Sequence, residues 1–295
     1  MTTEPIVYLN GAFLPESQGR LTVFDQGLQF GDGIYEVISA TSGVLFKLDD
    51  HLDRLDMSLH ATRIQPKLTR DEWRRAVIEL VRRSGLTDAA VKIVVTRGVQ
   101  PPGTSDPRLC TPNVIMTVVP YIWLGNERQR REGIRLAISP LRGMAPDTLD
   151  PRYKHISRLQ YQIMKIEALE AGYDDAAWLS ADGHVQECPK SNLFMARGGA
   201  LYTPSEGILH GITRATILEI AARENIPAVV GALTAFDLYN AEEVFTCSTS
   251  GGALPVREVQ GRPVRGPVPG PVTERVNEVY WRLRAEGWHG TPVHG

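Results

Sequence analysis

The sequence predicts an α+β protein with two domains. Its first part is expected to fold as strands, two helices and strands again, and the polar stretch 123–132 separates it from a second mixture of strands and helices. A length of 295 residues, of which 42% are hydrophobic, is enough for two modest cores. We therefore predict a first domain at residues 1–122, a linker at 123–132 and a second domain at 133–295.

The first domain is predicted to begin with a hairpin. Asn10-Gly11 is the dipeptide that best fits a type I′ turn, and it lies between two short apolar segments. A strand at residues 34–40 should place Tyr35 and Val37 on one face, because alternate side chains of a strand point the same way. The remaining predicted elements of this domain are helices at 50–62 and 70–84 and strands at 90–97 and 114–121.

Sequence patterns support the two helices. The first has a stripe of leucines, and Arg54 lies on a different face. A guanidinium that points inward from that face could bind a phosphate in a bidentate manner. The second opens with the capping-box pattern of Thr69 and Glu72 and stops at Gly85.

The second domain is predicted to carry an amine at the start of a helix. Lys154 follows a loop rich in proline and aspartate, and an apolar stripe formed by Ile156, Leu159, Ile163 and Ile166 follows it. The other predicted elements are strands at 134–139, 175–180, 185–187, 192–197, 200–203 and 243–248, a helix that begins near residue 212, and a C-terminal helix from residue 271.

Several polar residues of the chain together match the needs of pyridoxal 5′-phosphate. Lys154 can form a Schiff base, Glu187 can pair with the pyridine nitrogen, and Arg54 can bind the phosphate. Two turns rich in small residues and hydroxyls would add N–H and O–H donors for the phosphate, and they contain Ile212, Thr213, Thr249 and Ser250. Each signal is weak alone, and their coincidence predicts this cofactor.

Charge and composition exclude several other classes of protein. A net charge of −2 argues against a nucleic-acid or membrane-surface binder, and no run of residues is apolar enough for a membrane span. The N-terminal residues lack a signal-peptide pattern. The three cysteines include no CxxC pair, which predicts no structural metal site and a reducing, cytoplasmic location.

The sequence resembles the class IV aminotransferases over nearly its whole length. The segments that carry the resemblance are YLNG at 8–11, FD at 24–25, FGDGIYEV at 30–37, HLDRL at 51–55, TRG at 96–98, Lys154, Glu187 with SNLF at 191–194, LHGITR at 209–214 and Thr249. The resemblance implies fold type IV, with two α+β domains and the cofactor between them, and a homodimer whose partner helps to close the site. It also implies ping-pong half-reactions in which Lys154 moves a proton between the substrate and the cofactor.

Within the family, two groups of enzymes are the most similar. Residues 30–37 and 47–55 resemble D-amino-acid transaminases, and residues 245–255 resemble (R)-selective amine transaminases. We therefore predict transfer of an amino group from a D-amino acid or an (R)-amine to a 2-oxo acid, with Tyr35 and Val37 contacting the substrate.

Three alternatives stay open. Branched-chain amino acid transaminases usually have a Phe-Glu-Gly-Ile-Arg-like strand, where this chain has Tyr35-Glu-Val-Ile. Aminodeoxychorismate lyase, which eliminates pyruvate, is similar at 154–159 and at Glu187. A homologue without catalytic activity is disfavoured because Lys154 and Glu187 are both present.

One segment departs from the D-amino-acid transaminases. Their Arg-x-His pair, which binds the substrate carboxylate, is absent from residues 99–108. We expect Arg108 to take its place, with Arg152 or Arg158 as alternatives.

Overall fold

The structure, a computed structural model, describes residues 4–294. These residues form two compact units, one made of residues 4–122, 153–158 and 284–294 and the other of 123–152 and 159–283. The division differs from the predicted one in two places. The expected linker 123–132 lies within the second unit, and the short segment around Lys154 belongs to the first.

The first unit is built on a seven-stranded sheet with the strand order β15-β4-β3-β5-β6-β1-β2. Its strands are β1 (Ile6–Leu9), β2 (Ala12–Pro15), β3 (Gly33–Thr41), β4 (Val44–Phe46), β5 (Ala89–Val99), β6 (Thr111–Pro120) and β15 (Gly290–Pro292). Its helices are α1 (Gln26–Phe30), α2 (Leu48–Thr62) and α3 (Arg70–Ser84).

Local sequence signals account for several of these elements. Strands β1 and β2 form the predicted hairpin, in which Asn10 and Gly11 have φ of 49° and 98°, as a type I′ turn requires. Helix α3 begins with the predicted capping box, since the Thr69 side chain accepts from the Glu72 N–H and the Glu72 carboxylate accepts from the Thr69 N–H. Helix α2 packs its leucines into the same core as Ile34 and Ile38 of β3, so the other face of β3 carries Tyr35 and Val37.

The second unit is built on an eight-stranded sheet with the order β11-β10-β9-β12-β13-β7-β8, in which β14 pairs with β13 outside this path. Its strands are β7 (Ile134–Arg142), β8 (Asp175–Leu179), β9 (Asn192–Arg197), β10 (Ala200–Pro204), β11 (Ala228–Gly231), β12 (Glu243–Ser248), β13 (Gly252–Val259) and β14 (Arg262–Pro263). Its helices are α4 (Glu127–Glu132), α5 (Pro146–Leu149), α6 (Leu159–Glu170), α7 (Ile212–Arg223), α8 (Ala235–Tyr239) and α9 (Pro271–Ala285), the last of which ends in the first unit.

One predicted element of the second unit was wrong, and another begins later than predicted. Residues 185–187 form no strand. Val185 makes an isolated bridge to Leu179, and its N–H donates to the Leu233 carbonyl oxygen. The predicted helix after Lys154 is present as α6 but begins only at Leu159, and Leu159, Ile163 and Ile166 of its apolar stripe are exposed.

Within residues 4–294, no helix has both the length and the hydropathy needed to cross a membrane.

Candidate active site

Lys154 lies on a short extended segment that pairs with strand β3. The Tyr35 N–H donates to the Lys154 carbonyl oxygen at 3.0 Å, and the Ile156 N–H donates to the Gly33 carbonyl oxygen at 2.9 Å. Between these bonds Lys154 has a φ of 47°, in the left-handed region that non-glycine residues rarely adopt. Strain of this kind persists where the surrounding structure enforces it, and it is concentrated at functional sites.

The Lys154 amine lies against the ring of Tyr35. Its Nζ is 4.6 Å from the ring centroid, and Lys92 Nζ and the guanidinium carbon of Arg158 are 5.5 and 5.9 Å from the same centroid. A phenol ring with three cations around it is a favourable environment for positive charge and an electropositive one for an incoming carboxylate.

Arg54 is part of a buried cluster with Glu36 and His51. Nε and Nη2 of Arg54 donate to the two carboxylate oxygens of Glu36 at 2.7 and 2.8 Å, and His51 Nδ1 lies 2.8 Å from Glu36 Oε2. The side chains of Glu36 and His51 are each 1% exposed, and that of Arg54 is 11% exposed. Arg54 is therefore the member of the cluster nearest the surface.

The cluster carries no net charge at neutral pH. Burial alone would raise the pKa of Glu36, but the charge and hydrogen bonds of Arg54, together with the hydrogen bond from His51, hold it well below its usual range. Burial lowers the pKa of His51, against the opposing effect of the Glu36 carboxylate. An ionised Glu36 and a protonated Arg54 therefore balance, beside a neutral His51 that donates its Nδ1 hydrogen.

Glu187 is fixed in the second unit by two donors. Its Oε2 accepts from Asn192 Nδ2 at 2.9 Å and from the Leu209 N–H at 3.0 Å. The same Asn192 amide also donates to the Leu209 carbonyl oxygen at 2.9 Å. The Asn192 side chain thus links the buried carboxylate of Glu187, by hydrogen bonds, to the loop that precedes helix α7.

That loop ends at Gly211, the residue immediately before helix α7. A Cβ on Gly211 would lie 1.9 Å from Asn192 Oδ1, so a larger residue would displace Asn192. Gly211, as the N-cap residue, has no side chain with which to cap the helix. The backbone N–H groups of Ile212 and Thr213 lie in its first turn, where such groups suit an anion. Thr249 and Ser250 lie in the turn after β12.

The residues present suit pyridoxal phosphate. In the first unit, Lys154 provides an amine and Arg54 a guanidinium. In the second unit, Glu187 provides a carboxylate held by hydrogen bonds, and helix α7 begins directly after a glycine. Arg108 differs from the other predicted residues: its side chain is 83% exposed, and its guanidinium is bonded to Asp106. Its role in binding a carboxylate stays a prediction.

Three residues of these clusters were not predicted: Glu36, His51 and Asn192. An acid in an otherwise apolar strand is one available signal for Glu36, and the i, i+3 spacing of His51 and Arg54 on one helix is another. Asn192 lies in the SNLF segment that carries the family resemblance, but no pattern gives it a role of its own.

Comparison with known proteins identifies the family. Residues 33–259 match the family described as amino-transferase class IV. The chain belongs to this family. It is 37% identical over 283 residues to a putative branched-chain-amino-acid aminotransferase of Methanocaldococcus jannaschii, with 95% of this chain and 96% of that protein covered. It is 31% identical to the D-alanine aminotransferase of Bacillus licheniformis, with 92% and 94% covered.

A solved structure extends this similarity to the fold. The branched-chain aminotransferase of Thermoproteus uzoniensis superposes with a TM-score of 0.90 at 30% identity, covering 98% of this chain and 99% of that one. The predicted α+β fold of type IV is thereby confirmed. So are the predicted enzyme class and cofactor: this class IV aminotransferase uses pyridoxal 5′-phosphate.

Proposed function

We propose that the enzyme transfers the amino group of branched-chain L-amino acids to a 2-oxo acid. The observation that carries the proposal is the 37% identity to the Methanocaldococcus protein over nearly the full length of both chains. This substrate class was an alternative in the sequence analysis, and the similarities support it better than the D-amino acid and (R)-amine substrates that were predicted first.

Lys154 has the central role in this proposal. When bound, pyridoxal phosphate supplies an aldehyde that takes up the amino group and a ring that accepts electrons. Lys154 would hold the cofactor through its Nζ, and the freed Nζ would take the proton from the α-carbon of the amino acid. The left-handed backbone of Lys154 and the two hydrogen bonds to β3 fix the position from which this side chain extends.

The other predicted residues bind the cofactor. Glu187 would pair with the protonated ring nitrogen. Because Asn192 and Leu209 already hold its Oε2, it would not have to be ordered on binding. Arg54 and the two turns bind the phosphate. These turns contain Ile212, Thr213, Thr249 and Ser250.

Tyr35 and Val37 are proposed to contact the substrate. Both lie on the half-buried face of β3, and Tyr35 lies against the Lys154 amine. A phenol ring and a branched aliphatic side chain provide apolar surface of the kind that a leucine or valine side chain would bury.

D-amino acids are the second candidate substrate class. The observation in their favour is the strand at 30–37, which resembles D-amino-acid transaminases, together with the 31% identity to D-alanine aminotransferase. The absence of their Arg-x-His pair is the observation against them.

Absorbance of the purified enzyme separates the two candidates. We expect a band near ~410–420 nm that shifts to ~330 nm on addition of L-leucine and is unchanged by D-alanine or (R)-1-phenylethylamine, because the aminated cofactor absorbs at shorter wavelength. Lys154→Ala should abolish turnover, whereas Lys190→Ala, which alters an exposed lysine, should not. A shift with D-alanine alone would contradict the branched-chain proposal and favour D-amino acids as substrates.

We also propose that the enzyme is a homodimer, as the family resemblance implies. In support of this, helix α6 exposes a row of large apolar side chains, and contiguous exposed apolar surface is typical of interfaces. The row consists of Leu159, Ile163, Ile166 and Leu169.

A further inference from the structure

The buried cluster of Glu36, His51 and Arg54 limits the orientation of the Arg54 guanidinium. Nε and Nη2 both donate to Glu36, which fixes one edge of the planar group. The covalent geometry of the guanidinium then directs Nη1 away from Glu36. The direction in which Arg54 presents its remaining donors is therefore set by the carboxylate.

Glu36 is in turn held by more than Arg54. Its Oε2 accepts from His51 Nδ1 at 2.8 Å, from Arg54 Nη2 at 2.8 Å and from the Val37 N–H at 3.3 Å. His51 and Arg54 are one turn apart on helix α2 and both reach β3, so the carboxylate is bonded to its own strand and to the helix. Rotation of Glu36 would break bonds to both elements.

Because the cluster is neutral, the orientation of the Arg54 guanidinium matters for phosphate binding. The Glu36 carboxylate offsets the Arg54 charge, so binding of a phosphate depends on directed N–H donors more than on net attraction. A long, flexible arginine would have to be ordered on binding, and this one is ordered beforehand.

We propose that Glu36 and His51 are positioning residues that hold the Arg54 guanidinium in the orientation in which it binds the phosphate of the cofactor. The inference rests on the role proposed above for Arg54. Neither residue needs to touch the cofactor for this function.

The test compares pyridoxal phosphate with pyridoxal, which lacks the phosphate. The full-length protein is reconstituted with each compound, and the two dissociation constants are measured by spectroscopic titration. In His51→Leu the hydrogen bond to Glu36 is lost, and we expect binding of pyridoxal phosphate to weaken roughly 3- to 10-fold while binding of pyridoxal is unchanged. In His51→Asn the side-chain amide can replace Nδ1, so near wild-type values are expected.

Two further variants complete the design. Glu36→Gln keeps the shape of the side chain but replaces one acceptor with a donor, and it should show the same phosphate-specific loss even if His51→Leu does not fold. His60→Leu alters an exposed histidine of the same helix and should bind both compounds normally.

The outcomes separate this inference from the proposed function. Equal weakening for both compounds, or no weakening, in His51→Leu and Glu36→Gln would overturn the positioning role. A wild-type protein that binds pyridoxal phosphate no more tightly than pyridoxal would instead refute the proposed role of Arg54.

Discussion

At the scale of single residues, Gly211 decides whether Asn192 can hold Glu187. The Asn192 amide donates to Glu187 and to the Leu209 carbonyl oxygen, and its own oxygen occupies the space that a Cβ on Gly211 would fill. Gly211 has a φ of −66°, which any residue can adopt. Glycine is therefore required at this position by space and not by backbone conformation.

Gly211→Ala should be destabilising for this reason. The added methyl group would displace Asn192, and we expect the free energy of unfolding to fall by about 1–3 kcal/mol, as for other overpacked sites. Gly231→Ala is the matched control, because its Cβ would meet no atom closer than 4.0 Å, and its effect should stay within about 0.5 kcal/mol. Thermal denaturation of both variants measures the difference, and equal shifts in Tm would contradict the steric argument.

The same scale shows which residues of the site could be read from sequence. Lys154 and Arg54 belong to side-chain types whose chemistry is specific, so they could be proposed without coordinates. The partner of Arg54 is 18 residues away on a different element. Its identity depends on how α2 packs against β3, which no local pattern specifies.

At the scale of elements, local signals predicted the β1–β2 hairpin and the start of α3, because a turn dipeptide and a capping box act within a few residues. Helix α6 is a case in which the sequence pattern does not identify the buried face. It carries a second apolar set, Tyr161, Met164 and Ala168, and this is the set that is buried. Periodicity indicates that a helix has an apolar face, but two competing faces leave the choice to tertiary packing.

Helix α9 depends on one buried acceptor at its start. Glu243 of strand β12 accepts from the N–H groups of Val272 and Thr273 and from the Thr273 hydroxyl. The first N–H groups of a helix have no partner within it, and here a carboxylate that is 5% exposed supplies one. The stability of α9 is thus linked to the central sheet of the second unit.

Glu243→Gln should therefore destabilise the folded enzyme, although glutamine and glutamate are similar in size. The amide nitrogen of the new side chain would face N–H donors, and we expect a loss of about 1–3 kcal/mol in the free energy of unfolding. Glu278→Gln on the same helix removes only an exposed pair with Arg275 and should cost a few tenths of a kcal/mol. Urea denaturation monitored by circular dichroism compares the two. A larger loss in Glu278→Gln would refute the capping role.

At the scale of the whole molecule, the first unit is assembled from three separate parts of the chain. The segment around Lys154 joins it through backbone bonds to β3, and strand β15 joins it by pairing with β4. A change in composition marked the boundary near residue 122. Nothing in the composition indicates that the Lys154 segment and β15 belong to the first unit. Non-local strand pairing is the reason that the predicted division was incomplete.

The exposed row on helix α6 leads to a prediction about assembly. If this row lies in a homodimer interface, Ile163→Glu combined with Ile166→Glu should convert the dimer to a monomer, because two buried carboxylates without partners are strongly unfavourable. Gln162→Glu combined with Glu167→Gln is the control, since both positions are exposed and polar on the same helix. Sedimentation velocity measures the mass of each species. A wild-type enzyme that sediments as a monomer would refute the homodimer, whereas a double glutamate variant that stays dimeric would place its interface elsewhere.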